Sequence, residues 1–415
     1  MSTVWTDEFL DRMRLVGDDL ADRAVAALFA QQGTPEWSAM LRQYDTLVEN
    51  AGSLPPGLPP EVTEYLETTS TIPPPGLADA KRGEAFFAEY GPEVLMLLGC
   101  YSLPAAYAAA KGAQVLCRTE FLEKAARLRL FQTAQMIVDV MSPGGLGPRG
   151  KGVRAVQKVR LLHASIRHLI LEDSRPWDTA QLGVPINQED LVGTLMTFST
   201  VILEGLQKFD ITVPPEQAAA YFDAWRVVGR MNGIREELIP ADVASARVLT
   251  DIIHRRQIAP SPEGRRLTVA LLAAMGDGMS APAAATGTGG SLRAELHEVV
   301  DKVEQAIAGP LMRSTATVLM RHCLQDEKDA RGTSVVDILD LPPAAPWAGH
   351  LADVAIEVGS RLLGAVTDTS HERRLLRWIN MRLIDSMVTR ELGPGRPLFS
   401  VPDTLHAQWK RGPTS

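Results

Sequence analysis

The run Val159-Arg160-Leu161-Leu162-His163-Ala164-Ser165-Ile166-Arg167-His168 decides how this chain is read. Together with the residues around it, it carries an apolar stripe through Val153, Val156, Val159, Ile166 and Ile170. The spacings of three and four predict a helix with a buried side. His163 lies on that stripe, where another aliphatic residue would be expected. Arg160 stands three residues before it and Arg167 four after it, so both project near its face. An imidazole directed into an apolar core can ligate iron, and flanking guanidinium groups can pair with anionic propionates, a combination that suits haem. A lone core histidine is more often a hydrogen-bonded packing residue, so the run alone is suggestive only.

Upstream, Glu120–Met141 predicts a second long helix, with Leu122, Ala126, Leu130, Ala134 and Ile137 along one face. Arg129, Gln132, Thr133 and Met136 fall at i, i+3, i+4 and i+7 and share an adjacent face. Arginine and glutamine can donate hydrogen bonds to an iron-bound oxygen ligand, and threonine can orient a water. From spacing alone, a half-exposed helix side without chemistry is the preferred reading. Thirty residues separate Thr133 from His163 (163 − 133 = 30), enough for two antiparallel helices to sandwich a flat cofactor.

The rest of the chain is also helical in pattern. Further helices are expected over Asp7–Ala30, Pro35–Glu49, Ala80–Leu98, Leu103–Ala110, Lys151–Glu172 and from Asn187 to about Lys208. Asn187 serves as the N-cap of the last. Others follow from Pro214-Pro215 to about Leu238, then over Ala241–Arg256, Gly264–Ala274, Leu292–Ala308, Leu311–Gln325, Ala348–Leu363 and His371–Leu392. The proline-rich arm Leu54–Pro75 is expected to be extended, and Ala281–Gly290 is low in complexity. No strand pattern emerges, so the fold class is all-α. The expected division is 1–79 for the N-terminal helices and arm, 80–275 for the core, 276–291 for a loop, and 292–415 for helices packing on the core.

The composition excludes several functions. The chain has 415 residues, 42 basic and 50 acidic, for a net charge of −8. It has no long basic block, which argues against nucleic acid as a partner. The three cysteines, Cys100, Cys117 and Cys323, make no CxxC pair and fit a reducing compartment. The N-terminus lacks a basic region followed by an apolar one, which leads us to expect an unexported, cytoplasmic protein. The uncharged stretch Val94–Ala110 is too short and too interrupted for a membrane span, although it leaves room for peripheral membrane contact. Gly145–Lys151 has part of a phosphate-loop spacing, but Gly152 stands where Ser or Thr should follow and no strand precedes it. His168, His254 and His322 carry low odds of a role. Trp225 and Phe198 read as core packing.

Several runs together resemble the latex-clearing-protein (rubber oxygenase) and MpaB-type haem oxygenase family. They are Arg127-Leu128-Arg129-Leu130-Phe131-Gln132-Thr133, the His163 run, Gly183-Val184-Pro185-Ile186-Asn187-Gln188-Glu189-Asp190-Leu191, Thr197-Phe198-Ser199, Ala224–Gly229 and Glu236–Pro240. The resemblance spans roughly Gly83 to Arg256. It implies a globin-like core that holds one haem b without a covalent link, His163 as the proximal iron ligand, and Arg167 and Arg160 at the propionates. It also implies a distal set of Arg129, Gln132 and Thr133 acting on dioxygen. The family pattern has lysine where this chain has Gln132, which implies an open or water-bound sixth iron site. The family's carboxylate base is not matched: Ala113 and Gln114 occupy the segment concerned, and Glu120 and Glu123 are approximate candidates. The expected activity is oxygenation, including oxidative C=C cleavage, of an apolar unsaturated isoprenoid- or lipid-like substrate. The alternatives are a non-catalytic haem protein, either gas sensor or carrier, and a helical scaffold without haem.

Overall fold

The computed structural model describes residues 4–31, 47–118, 121–276 and 313–343, with Met381 and Ile384. In chain order its helices are α1 (Asp7–Met13), α2 (Asp19–Ala30), α3 (Pro60–Thr68), α4 (Pro74–Leu97), α5 (Leu103–Ala108), α6 (Ala110–Arg118), α7 (Phe121–Met141), α8 (Gly152–Leu171) and α9 (Thr179–Leu182). They continue with α10 (Gln188–Phe198), α11 (Thr200–Lys208), α12 (Pro215–Met231), α13 (Val243–Gln257), α14 (Pro262–Gly276), α15 (313–324) and α16 (Val335–Ile338). A π-helical turn, Leu98–Ser102, joins α4 to α5, and a 3-10 turn, Glu236–Leu238, follows α12. Among the described residues there is no strand, only the isolated bridges Ala109–Ile258 and Lys328–Ser334. The all-α class is as the sequence predicts.

The helix α8 is central. Fifteen of its twenty residues are buried, so its polar positions are covered as well as its apolar stripe. The polar side is tolerated because remote segments satisfy it. Gln157 donates to the Leu66 carbonyl at 2.9 Å, Arg154 donates to the Gly52 carbonyl at 3.0 Å, and Tyr65 donates to the Gln157 carbonyl at 2.8 Å. The N-terminal residues 47–70 and α2 thus close over a face that periodicity alone would leave in solvent.

A tight glycine turn joins α7 to α8, and Asn50 organises it from a hundred residues away. Its Nδ2 donates to the Gly145 and Gly147 carbonyls at 2.9 and 2.6 Å, while its Oδ1 accepts from the Val153 amide at 2.9 Å. It therefore caps α8, whose own N-cap residue, Lys151, makes no side-chain bond. A Cβ at Gly152 would lie 2.9 Å from the Val140 Cα, so the two backbones touch there and fix the register of the pair. This turn contains the phosphate-loop-like spacing, and it is a helix connector.

Several expected helices are shorter or broken. Asp7–Ala30 divides between Met13 and Asp19, because the Asp18 side chain caps α2 by accepting from the Ala21 amide and Gly17 lies against Arg167. The proline-rich arm is not extended throughout. Pro60 opens α3 and Pro74 opens α4, each in a first turn where the missing N–H costs nothing. The helix from Asn187 breaks at Ser199, and that from Pro215 ends at Met231, before Gly233 at φ +81°. Asn187 caps α10 as predicted, accepting from the Asp190 amide at 3.0 Å. The helices expected over Pro35–Glu49, Leu292–Ala308, Ala348–Leu363 and His371–Leu392, and the Ala281–Gly290 loop, lie wholly or mostly outside the described residues.

Among the described residues no helix is long and apolar enough to cross a membrane. The stretch Val94–Ala110 instead runs from α4 through the π turn into α6, with Cys100, Tyr101 and Ala108 buried in the core. Residues 313–343 are held to this region by Glu327. It accepts from the Tyr101 hydroxyl at 2.5 Å, pairs with Lys208 Nζ at 3.2 Å, and stands 3.7 Å from His254 Nδ1. Trp225 stacks on Phe198 at 5.3 Å in the core, as expected of packing residues.

Candidate active site

His163 and Arg129 stand at the same height on the α7–α8 pair. From the contact of Gly152 with Val140, each lies eleven residues along its own helix (163 − 152 = 11; 140 − 129 = 11), about 16 Å at the ordinary helical rise. Their charges act on each other: Arg129 is one of the groups that disfavour protonation of His163. The spacing argument therefore brings these two sequence-predicted residues together.

The His163 ring is half-buried, so it is not packed solid. Burial, with the Arg167 charge adding to it, lowers its pKa to about 4. At neutral pH the imidazole is therefore uncharged, which is the form that binds a metal. Its Nδ1 is buried and has no hydrogen-bond partner. This is not the hydrogen-bonded packing histidine that the bland reading of the sequence supposes.

Arg129 is half-buried. Burial lowers its pKa, and its guanidinium makes no hydrogen bond or ion pair among the described residues. Its donors are thus not spent within the protein and are free for a ligand. Gln132 and Thr133 are half-buried beside it, and Met136 is buried. The Thr133 hydroxyl donates to the Arg129 carbonyl at 2.8 Å, so its proton is already used and only its oxygen lone pairs remain for a ligand. Gln132 makes no hydrogen bond among the described residues.

Arg160 and Arg167 differ from this. Arg160 grips Asp18 with two bonds, Nε to Oδ2 at 2.5 Å and Nη2 to Oδ1 at 2.8 Å, and donates to the Met231 carbonyl at 3.0 Å. Arg167 bonds the Asp22 carboxylate and donates to the Pro185 and Ile186 carbonyls at 3.0 and 2.9 Å. Both arginines fasten α2 and the loop before α10 onto α8. Pairing them with propionates would mean exchanging these bonds. His168 packs its ring on Phe29, 4.8 Å away, and belongs to the same α2 contact.

Ala113, in the segment where a carboxylate base was sought, is fully buried beside Tyr107, Leu116, Cys117 and Leu267. The approximate candidates Glu120 and Glu123 lie outside the described side chains. Sequence reasoning also missed the Glu189–Asp190 hub. Glu189 is fully buried. It receives Arg256 Nε at 2.8 Å and Arg14 Nη1 at 3.4 Å, while Asp190 receives Arg14 Nη1 at 2.9 Å and Asn187 Nδ2 at 2.8 Å. Arg256 also reaches Asp7 and Asp11, both at 2.6 Å, which ties α1 to the core. Burial raises the Asp190 pKa, against the pull of Arg14. The available signal was two adjacent acids at the start of a helix that is otherwise apolar.

Residues 85–353 match the sequence profile of the family described as ER-bound oxygenase mpaB/B'/rubber oxygenase, catalytic domain. That is well over half of the chain. The chain belongs to this family. It therefore carries an oxygenase catalytic domain, and the resemblance drawn from the sequence motifs holds. One relative, the rubber oxygenase of Streptomyces sp. (strain K30), is 26% identical over 321 residues, which is 74% of this chain and 75% of that one. The solved structure of latex clearing protein in the closed state superposes with a TM-score of 0.67 and covers 91% of each chain at 23% identity, so the two share a fold.

Proposed function

We propose that the protein is a haem b-dependent oxygenase acting on an apolar, unsaturated, isoprenoid- or lipid-like substrate. The observation that carries this reading is a neutral histidine with a buried, unbonded Nδ1, level on the helix pair with an arginine that has no partner among the described residues. Among the described residues no group of three or more His, Cys, Asp or Glu side chains is arranged to hold a metal. A metal at His163 would therefore bring most of its ligands with it, as the iron of haem does. The donor set fits: one imidazole for the iron and free guanidinium donors nearby. When bound, the haem supplies the oxygen-activating redox chemistry.

The residues of the chain contribute the rest. His163 holds the group from α8, in its neutral form. Arg129 would present free guanidinium donors to the site. Gln132 brings an amide that can both donate and accept but is a poor metal ligand. Thr133, its proton committed to the backbone, accepts from a donor in the site. The surrounding apolar core excludes water. Oxygenation of a rubber-like substrate is suggested by the name of the Streptomyces relative, and C=C cleavage by the family resemblance.

An absorption spectrum of the purified protein before and after dithionite tests haem. Incubation of a squalene-like alkene with isotopically labelled dioxygen tests oxygenation. A Soret band with label in the product is expected; a Soret band with reversible oxygen binding and no product would make the protein a carrier or sensor.

A further inference from the structure

A histidine that ligates a metal through one ring nitrogen ordinarily donates the N–H of the other to a carboxylate, a backbone carbonyl or water, which fixes the ring and makes the ligand more basic. His163 departs from this. Its Nδ1 is sealed within the protein and bonds nothing. Nε2 also bonds nothing among the described residues, yet it is not one of the sealed atoms, so it lies on the open side of the half-buried ring. The two nitrogens are therefore not equivalent. One is free to receive a metal, and the other faces protein that offers no acceptor.

The acids that could have supplied an acceptor are already engaged. Asp18 is the acid whose charge reaches the imidazole. Arg160, three residues before His163, holds both its oxygens, at 2.5 and 2.8 Å, and Oδ1 also accepts from the Ala21 amide at 3.3 Å. Asp22 is held by Arg167, four residues after His163, and its Oδ2 accepts from the Asp18 amide at 3.2 Å. Thus α2 brings two carboxylates to α8, but the two arginines that flank His163 take them up.

We propose that His163 takes the haem iron through Nε2 as a strictly neutral imidazole, its Nδ1–H given to no acceptor. This rests on the haem reading above. A shared Nδ1 proton would make the ligand more basic and favour ferric iron; an unshared one raises the reduction potential and favours the ferrous form that binds dioxygen.

The test uses the full-length His163→Gly variant supplied with haem and either imidazole or 1-methylimidazole. The second has no N–H once bound, and its methyl can take the place of the deleted Cβ. The two ligands should bind within about 3-fold of each other and give the same reduction potential. Imidazole binding about 10-fold tighter, the worth of one ordinary hydrogen bond, with a lower potential, would overturn the proposal while leaving the haem reading intact. If the wild-type chain shows no Soret band even when supplied with haem, both fall. Should the variant fold poorly, the iron–histidine stretch of reduced wild-type protein decides. It should lie at the lower frequency of a neutral imidazole, and the higher frequency of a carboxylate-paired histidine would contradict the proposal.

Discussion

The molecule treats its buried charges in two opposite ways. Around Glu189 and Asp190, every carboxylate oxygen is engaged by Arg14, Arg256 or Asn187. Around His163 and Arg129, the imidazole Nδ1 is orphaned and the guanidinium has no acceptor among the described residues. The first arrangement is architecture. It ties an N-terminal helix to the core through residues far apart in the chain. The second leaves an imidazole nitrogen and a guanidinium free for something bound there. Arg160 and Arg167 belong to the architectural class, although they sit within one turn of His163. Nearness in sequence to a site residue is therefore a weaker guide to function than what the side chain already bonds.

Substitutions can break or sharpen this contrast. Arg14→Met leaves Glu189 and Asp190 buried and short of a partner, and should cost about 3–5 kcal/mol in urea unfolding. Glu327 should show its role through pH. Burial alone would raise its pKa, but the neighbouring His254, the hydrogen bond from Tyr101 and the Lys208 charge bring it down to about 2, from an ordinary 4.5. A depressed acid stabilises the fold above its unfolded pKa and loses that contribution as pH falls. The loss should run from about pH 4.5 to about pH 2, on the order of 3 kcal/mol. In Glu327→Gln that part of the acid sensitivity should vanish. Asn50→Ala removes the remote cap of α8 and should cost about 1–2 kcal/mol. Arg129→Met should change stability least, by less than about 1 kcal/mol in either direction, while abolishing oxygenase activity. A large destabilisation there would move Arg129 into the architectural class.

The sequence made the site more legible than the scaffold around it. His163 stood out because a polar residue interrupted an apolar stripe, a local signal, whereas the spacing of Arg129 favoured a face without chemistry and the family resemblance brought it out. Asn187 was readable as a cap from a local signal too. The divided N-terminal helix was not readable, because Asp18 and Gly17 break it in contact with Arg160 and Arg167, some 140 residues away. The partners of those two arginines were hidden by the same distance.

The central claim is that the unsatisfied region exists to hold an iron group through His163. The direct measurement is the Soret absorbance of His163→Ala beside wild type, at equal protein concentration and after supplying haem to both. Because the ring Nδ1 bonds nothing, the variant should keep its helical circular dichroism while losing most of the Soret band. Full haem loading with an unchanged spectrum in His163→Ala would contradict the assignment.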